Sequence, residues 1–182
     1  MKIQICGYSG SGKSTFARKL GEMYKIKVLH LDSLHFSEGW MERSDIDMSV
    51  DVMRFMKQED WIIDGNYTRI APKRYEECDQ LFYFNFNRIA CLINVIRRYR
   101  KYRHTTRDDM ASGCEEKLDF EFVKWVLLDG RKRKQRLRKK KYQELYQDKI
   151  VVFENQKQVD LYFKNLITAK KGGNPNDYSD CI

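Results

Sequence analysis

Eight residues near the N-terminus have the types and the spacing of a phosphate-binding loop. The segment Gly7-Tyr8-Ser9-Gly10-Ser11-Gly12-Lys13-Ser14 satisfies the pattern G-x-x-x-x-G-K-[ST] at every defined position. Glycines let the backbone curl until successive N–H groups point at one phosphate, while Lys13 contacts the terminal phosphates as a catalytic cation and Ser14 contacts Mg²⁺. The predicted contacts to the phosphates of ATP come from Gly7, Ser9, Gly10, Ser11, Gly12, Lys13, Ser14 and Thr15.

Two aspartates, each at the end of an apolar run, have the chemistry that the rest of such a site requires. Asp64 follows Trp61-Ile62-Ile63 and is the candidate for the second Mg²⁺ contact, made through water, although acids in this position also cap turns. Asp32 follows Lys27–Leu31 and is the candidate that orients the acceptor hydroxyl, assists its deprotonation or helps to hold Mg²⁺. A helix cap or a surface acid is the alternative. Further candidates for binding the acceptor lie beside these acids. They are His35, Trp40, Arg43, Gly65, Asn66 and Arg69.

The elements that must position these residues follow from the spacing of apolar side chains. Short apolar runs predict strands at Lys2–Cys6, Lys27–Leu31, Trp61–Ile63, Gln80–Phe86 and Lys149–Phe153. Helical spacing predicts helices between them, the first two over Lys13–Met23 and Asp45–Lys57. This alternation is typical of a parallel sheet covered on both faces, whose active site lies beyond the carboxyl ends of the strands. The glycine-rich loop and both aspartates fall at those ends.

Composition narrows the class of protein. A length of 182 residues with 42% hydrophobic and 13% aromatic side chains predicts one folded domain, residues 1–168, followed by a disordered tail, residues 169–182. The apolar runs are too short for a membrane span and the N-terminus lacks a signal-peptide pattern, so we expect a cytoplasmic protein without a membrane partner. Five cysteines without a C-x-x-C pair predict free thiols.

The positive charge of the chain comes from one segment. Nine of the eleven residues in Arg131–Lys141 are Lys or Arg, and without them the chain has 26 basic and 26 acidic residues. We expect this basic run to form one long helix with Phe120–Leu128, to pack through Leu137, Leu145 and Tyr146, and to be dispensable for catalysis. The alternative is that it contacts nucleic acid without sequence preference.

Four motifs, in order, resemble the adenylate-kinase-like P-loop proteins known as DNA topology modulation proteins. They are the phosphate loop, Leu31-Asp32-Ser33-Leu34 with Gly39-Trp40, Asp64-Gly65-Asn66-Tyr67, and a stretch from Thr106-Arg107-Asp108-Asp109-Met110 through Gly113, Glu116 and Trp125. The resemblance covers roughly residues 1–125. It implies a three-layer α/β/α P-loop NTPase fold with a five-stranded parallel sheet in the order 2-3-1-4-5. The name of the group implies a DNA role, whereas its motifs imply a phosphotransferase.

The same resemblance implies a short helical lid after the fourth strand, at about residues 99–113. Seven basic residues, one of them His104, lie between Arg97 and Arg107. Arginines that close over the transferred phosphoryl group stabilise its spreading negative charge. Arg97, Arg103 and Arg107 are therefore the candidates for this catalytic role, with solvated surface arginines as the alternative.

Together these patterns predict an ATP-dependent phosphotransferase of the nucleoside and nucleotide kinase-like class. It transfers the γ-phosphoryl group of ATP, with Mg²⁺, to a small-molecule acceptor. A GTPase is excluded because the chain has neither an Asp-x-x-Gly switch nor an Asn-Lys-x-Asp base reader. Two alternatives stay open: a DNA-binding protein whose nucleotide site is a switch or vestigial, and a nucleotide-binding partner protein without catalysis.

Overall fold

The computed structural model describes residues 1–171, which form an α/β fold. The strands are β1 (Lys2–Gly7), β2 (Val28–His30), β3 (Phe36–Ser37), β4 (Met41–Glu42), β5 (Trp61–Asp64), β6 (Gln80–Phe84) and β7 (Ile150–Phe153). The helices are α1 (Lys13–Tyr24), α2 (Leu31–His35), α3 (Asp45–Phe55), α4 (Arg74–Glu77), α5 (Arg88–Tyr102), α6 (Phe120–Leu127), α7 (Arg133–Leu145) and α8 (Gln156–Lys171). Two 3₁₀ turns cover Glu38–Trp40 and Asp129–Arg131. Of the tail predicted from residue 169, the first three residues end α8 and the rest lies outside the described residues.

Five strands form one parallel sheet in the order β2-β5-β1-β6-β7, and β3 pairs with β4 in a separate antiparallel hairpin. Counted along the chain, the strands of the parallel sheet stand in the order 2-3-1-4-5, which confirms the predicted topology. The register places Ile5 of β1 beside Asp64 of β5, and Cys6 beside Tyr83 of β6. The carboxyl ends of β5, β1 and β6 are therefore neighbours in the sheet.

Side chains alternate between the two faces of the sheet and meet a different set of helices on each. On one face, Phe82 of β6 packs with Phe16 of α1, and α5, α6 and α8 complete the same core. On the other face, Ile63 of β5 shares a core with Val52 of α3 and Tyr142 of α7. These three layers are the predicted α/β/α arrangement. Within residues 1–171, no helix has the length and apolar character that crossing a membrane requires.

The lid differs from the predicted short helix. The first residues of the expected segment belong to α5, which ends at Tyr102, and residues 103–119 form a loop with two isolated β-bridges. The physical reason lies in its turn-forming residues, since Gly113 has a φ of +75° that a helix does not accommodate. The lid is therefore a loop held by side-chain contacts, and the prediction of a helical lid is wrong.

The basic run does not form one long helix with the preceding apolar segment. α6 ends at Leu127, a 3₁₀ turn follows, and α7 begins at Arg133. Gly130 allows this break because a Cβ there would lie 2.8 Å from the carbonyl oxygen of Trp125. Leu137 is 54% exposed and does not pack as expected; the buried anchor of α7 is Tyr142.

Candidate phosphate-binding and acceptor site

The glycine-rich loop connects β1 to α1 at the carboxyl end of the central strand. At Gly10, a Cβ would lie 2.5 Å from the carbonyl oxygen of Cys91, so only glycine lets the loop pack against α5. At Gly12, φ is +91° and a Cβ would meet no atom within 4 Å. The concave side of the loop is therefore open at the residue that precedes α1. This is where the helix N-terminus offers its unpaired N–H groups to an anion.

The loop is closed by hydrogen bonds to one carbonyl oxygen, that of Tyr8. The backbone N–H of Ser11 donates to it at 3.2 Å, the Ser11 hydroxyl at 2.6 Å and the Lys13 ammonium group at 2.9 Å. Ser11 is fully buried, so its two donors serve the loop itself, in contrast to the predicted phosphate contact. Among the other predicted residues, Ser9 and Ser14 are half-buried and Thr15 is exposed.

The side chain of Asn66 fastens the phosphate loop to the neighbouring strand. Its Oδ1 accepts from the backbone N–H of Gly7 at 2.9 Å, and its Nδ2 donates to the Gly7 carbonyl at 2.8 Å. Asn66 was predicted to contact the acceptor, but both of its polar atoms are used in this pair. Gly65, predicted to allow close approach of a substrate, is buried, and a Cβ there would lie 2.7 Å from Leu31. Both residues therefore organise the loop after β5.

The side chain of Arg74 holds the loop after β5 through hydrogen bonds to its backbone. Its side chain is fully buried and donates to the carbonyl oxygens of Asn66 and Tyr67 at 2.9 and 3.0 Å, and to the Gln4 side chain at 2.9 Å. No acid neutralises this arginine among its contacts; backbone dipoles solvate its charge instead. Its sequence position between two expected elements gave no sign of this role.

Asp64 has one oxygen that is paired and one that is not. Its side chain is 5% exposed, and the Nδ1 of His30 donates to its Oδ2 at 3.0 Å. Its Oδ1 is buried and has no hydrogen-bond partner among the described residues. A buried carboxylate oxygen without a partner is costly unless a ligand uses it. The donor set fits Mg²⁺, which takes one or two carboxylates and completes its octahedron with water and phosphate oxygens.

Arg131, the first residue of the basic run, lies against the phosphate loop. Its guanidinium carbon is 3.8 Å from the centroid of the Tyr8 ring. Its Nε donates to the Val126 carbonyl at 3.1 Å, and its Nη2 donates to the Phe86 carbonyl at 2.9 Å. These contacts hold a positive charge directly beside the loop, where the sequence predicted a dispensable surface residue.

A second arginine of the basic run, Arg138, is also turned toward the interior. Arg138 is half-buried on the same face of α7 as Tyr142. Burial raises the pKa of the Cys6 thiol to about 12, and the nearby charges of Lys13, Arg74 and Arg138 oppose that rise. Three cations therefore surround the end of β1. Spacing gives the signal that was missed for Arg138, because positions 135, 138 and 142 follow one face of α7.

On the acceptor side, Asp32 lies in the first turn of α2 and accepts a hydrogen bond from the Tyr67 hydroxyl at 2.8 Å. The imidazole of His35 packs at 4.6 Å against both Tyr67 and Phe36. Trp40 packs on Phe36 at 5.1 Å and has a φ of +66°. The Nδ1 of His35 and the Nε1 of Trp40 are buried without partners among the described residues. Asp32, His35 and Trp40 are thus brought together, as predicted.

The two arginines predicted to hold an acceptor group are engaged elsewhere. Arg43 donates to Asp51 at 2.8 Å and to the Leu34 carbonyl at 3.2 Å. Arg69 is 87% exposed and lies 3.5 Å from Asp45. Acids on α3 therefore neutralise both side chains.

The predicted lid arginines are either exposed or paired. Arg97 and Arg103 are exposed on and just after α5. Arg107 lies 2.8 Å from the Glu116 carboxylate and 2.9 Å from Asp109, and Arg98 shares Glu116 at 2.7 Å. Glu116 is 3% exposed, so this is a buried ion-pair cluster that shapes the lid. A catalytic role for Arg107 is inconsistent with these contacts, since its charge is already compensated by two acids.

The lid loop lies directly on the acceptor hairpin. The Cys114 thiol is 3.3 Å from the Ser37 carbonyl, and a Cβ at Gly113 would be 2.7 Å from the Glu38 side chain. The Lys117 ammonium group is 5.2 Å from the centroid of the Trp40 ring. The lid and the hairpin therefore contact each other directly, while Asp32 at the start of α2 is exposed.

No protein-family model matches this chain, and no curated protein sequence matches it. Among solved structures, it is similar to an uncharacterized protein from Eubacterium ventriosum ATCC 27560, at 16% identity over 92% of this chain and 98% of that one, with a TM-score of 0.48. It is also similar to deoxyadenosine kinase from M. mycoides with bound dATP, at 14% identity over 91% and 99% of the two chains, with a TM-score of 0.49. The assignment to the P-loop fold comes from the strand order and the loop geometry described above.

Proposed function

We propose that this protein is an ATP-dependent phosphotransferase that moves the γ-phosphoryl group of ATP to a hydroxyl group of a small acceptor. The observation that supports this most is the arrangement at one edge of the sheet. A complete phosphate loop carrying Lys13 follows β1, the unpaired Oδ1 of Asp64 lies at the end of neighbouring β5, and Asp32 follows β2 on the far side of β5. The candidate donor, metal and acceptor residues thus lie at neighbouring strand ends.

On the donor side, backbone N–H groups of the loop and of the first turn of α1 bind the phosphates. Lys13 moves from the Tyr8 carbonyl to the terminal phosphates and offsets their charge. Ser14 and Asp64 would hold Mg²⁺, and the bound ion would supply positive charge that lowers the repulsion that the attacking hydroxyl meets. His30 orients Asp64 by taking one of its oxygens, so that the other stays directed to the metal.

Arg131 is the arginine that we assign to the transferred phosphoryl group. It replaces Arg107 as a candidate because its guanidinium lies against Tyr8 of the phosphate loop, whereas Arg107 is paired with acids. A guanidinium fixed by carbonyl groups needs little reorganisation as charge develops in the transition state. On the acceptor side, Asp32 orients the hydroxyl and accepts its proton.

The proposal is tested by phosphate transfer from ATP and Mg²⁺ to a panel of nucleosides, nucleoside monophosphates and hydroxylated metabolites. We expect Lys13→Ala to lower turnover at least ~100-fold, the scale of removing one electrostatic contact in the transition state. Lys19→Ala, on the exposed side of α1, is the matched control for loss of a lysine. Transfer that persists in a folded Lys13→Ala protein contradicts the assigned site. ATP binding without any transfer favours a nucleotide-binding partner protein.

A second candidate function, contact with a polyanion such as DNA, has one observation in its favour. Six cations of the basic run are exposed on the outer side of the segment: Lys132, Arg133, Lys134, Arg136, Lys140 and Lys141. Such a surface binds phosphates of nucleic acid without sequence preference, and its affinity falls steeply with salt. A DNA titration at several salt concentrations separates this function from phosphate transfer.

A further inference from the structure

The arginines of the acceptor side, residues 31–51 and 65–74, are the groups that could bind a phosphate on the acceptor. A phosphate already present on the acceptor needs cations with free N–H groups, most often an arginine. Arg43 does not provide them, because its two terminal nitrogens donate to Asp51 and to the Leu34 carbonyl. Its charge is balanced at a distance of 2.8 Å.

The two remaining arginines of the acceptor side lie in opposite environments. Arg69 is 87% exposed and lies 3.5 Å from Asp45 of α3. Arg74 is fully buried, and its donors are used by backbone carbonyls and by Gln4. In residues 31–51 and 65–74, therefore, no arginine that the fold holds in place keeps a free fork for a phosphate beside Asp32.

The lid contributes little additional positive charge to this region. Arg98 and Arg107 share the buried carboxylate of Glu116. Lys117 is exposed, and its ammonium group lies over the Trp40 ring. Lys117 is thus the cation at the contact between the lid and the hairpin that could bind a phosphorylated acceptor. Its substitution therefore distinguishes phosphorylated from uncharged acceptors.

What the acceptor side does offer is a carboxylate and aromatic rings. Asp32 has one oxygen bonded to Tyr67, and Glu42 lies 3.7 Å from the imidazole of His35. Burial, and then the charge of Asp32, raise the pKa of the Tyr67 phenol, so this hydroxyl stays a donor. An incoming anion would be repelled by both acids, whereas an alcohol finds an acceptor for its proton. The rings of His35 and Trp40 each keep a buried nitrogen free for a hydrogen bond.

We propose that the acceptor is an uncharged alcohol whose ring packs against these aromatic side chains, and not a compound that already carries a phosphate. Nucleosides are the probes of this class. This inference rests on the proposed function and decides between the acceptor classes that the sequence left open. In the reaction, the acceptor oxygen bonds to the γ-phosphorus while the bond from that phosphorus to the β,γ-bridging oxygen breaks. The electron pair leaves with ADP, and the hydroxyl proton passes to Asp32.

The test compares each nucleoside with its own 5′-monophosphate, in which a charged phosphate replaces the 5′-hydroxyl: adenosine with AMP, deoxyadenosine with dAMP, guanosine with GMP and cytidine with CMP. Transfer from ATP with Mg²⁺ is measured as kcat/KM for each compound. We expect at least one nucleoside to be used with a kcat/KM about 100-fold or more above its own monophosphate, since like-charge contacts discriminate on this scale. Asp32→Asn should lower kcat for that nucleoside about 100-fold while the KM for ATP stays within about threefold.

Each result has a distinct consequence. A monophosphate used better than its nucleoside, with kcat/KM lost in Lys117→Met, overturns the inference and leaves the proposed kinase function standing. Nucleoside use that Lys117→Met leaves within about threefold supports the inference, because no cation is then needed at the acceptor. Absence of transfer to every compound, with ATP still bound, overturns the proposed function together with the inference.

Discussion

Replacing Arg131 by methionine tests whether the basic run contains one residue that belongs to the phosphate loop. Methionine keeps much of the length of the side chain but removes the charge, the planar group and all donors. The matched control is Arg136→Met, which removes the same charge from an exposed position five residues along the same segment. The two substitutions therefore change the net charge equally and differ only in the side-chain contacts that they remove.

The expected magnitude follows from the contacts of Arg131. It donates to the carbonyls of Val126 and Phe86 and lies over the ring of Tyr8 at 3.8 Å. A hydrogen bond from a charged group contributes about 1.5–3 kcal/mol, and a cation–π contact about 0.5–2 kcal/mol. Because the side chain is half-exposed and such terms are not additive, we expect Arg131→Met to lower the free energy of unfolding by about 2–4 kcal/mol. Arg136→Met should change it by less than about 0.5 kcal/mol.

Two assays read out the result. Urea unfolding gives the stability difference, and titration with ATP and Mg²⁺ gives the nucleotide affinity, which we expect Arg131→Met to lower about 10- to 100-fold. Arg131→Lys should recover part of the nucleotide affinity but little of the stability, since lysine keeps the charge without the planar fork. Equal stability and equal ATP affinity of Arg131→Met and Arg136→Met would refute the assignment of Arg131 to the phosphate loop.

Three further predictions concern the lid, the loop and the buried thiol. Glu116→Gln should leave Arg98 uncompensated and Arg107 with Asp109 alone, cost about 3–5 kcal/mol locally and speed amide exchange across residues 103–119, whereas exposed Glu115→Gln should not. Asn66→Asp should place an anion against a loop carbonyl in place of a donor, cost about 1–3 kcal/mol in urea unfolding and weaken ATP binding; unchanged affinity would contradict the clamp. Cys6, with a pKa of about 12 against 9.0 for an unfolded thiol, should stay protonated when folded. Stability is therefore expected to be full below pH 9 and to fall as pH rises from 9 to 12, less so in Cys6→Ala.

The parts of the structure that the sequence predicted well are those encoded locally. Strand–helix alternation and the G-x-x-x-x-G-K-S pattern depend on neighbouring residues, and they predicted the parallel sheet and the position of the loop. The resemblance implied the strand order, which the structure has. Asp32 and Trp40 fall in one region because they belong to the same short segment after β2. These inferences needed only periodicity, glycine positions and one resemblance.

The parts that failed depend on partners distant in the chain. Arg107 looks like a free lid cation in sequence, but its acid partner Glu116 becomes a neighbour only when the lid folds back. Asn66 looks like a substrate contact because it follows a strand, yet its two polar atoms match the backbone of Gly7, 59 residues earlier. Charge and residue type identify which groups are present, whereas long-range contacts decide which of them remain free.

Three side chains around the phosphate loop are held in place in the same way. Asn66, Arg74 and Arg131 come from different elements, and each donates to backbone carbonyl oxygens near the carboxyl end of the sheet. Carbonyl dipoles hold a cation in place without cancelling its charge, as an aspartate or glutamate partner would. Arg98 and Arg107, in contrast, are paired with acids and add little net field. An electrostatic field that is fixed before the nucleotide binds costs no reorganisation during phosphoryl transfer. The cations held by carbonyl groups are therefore the ones to test first, before the more numerous cations on the surface.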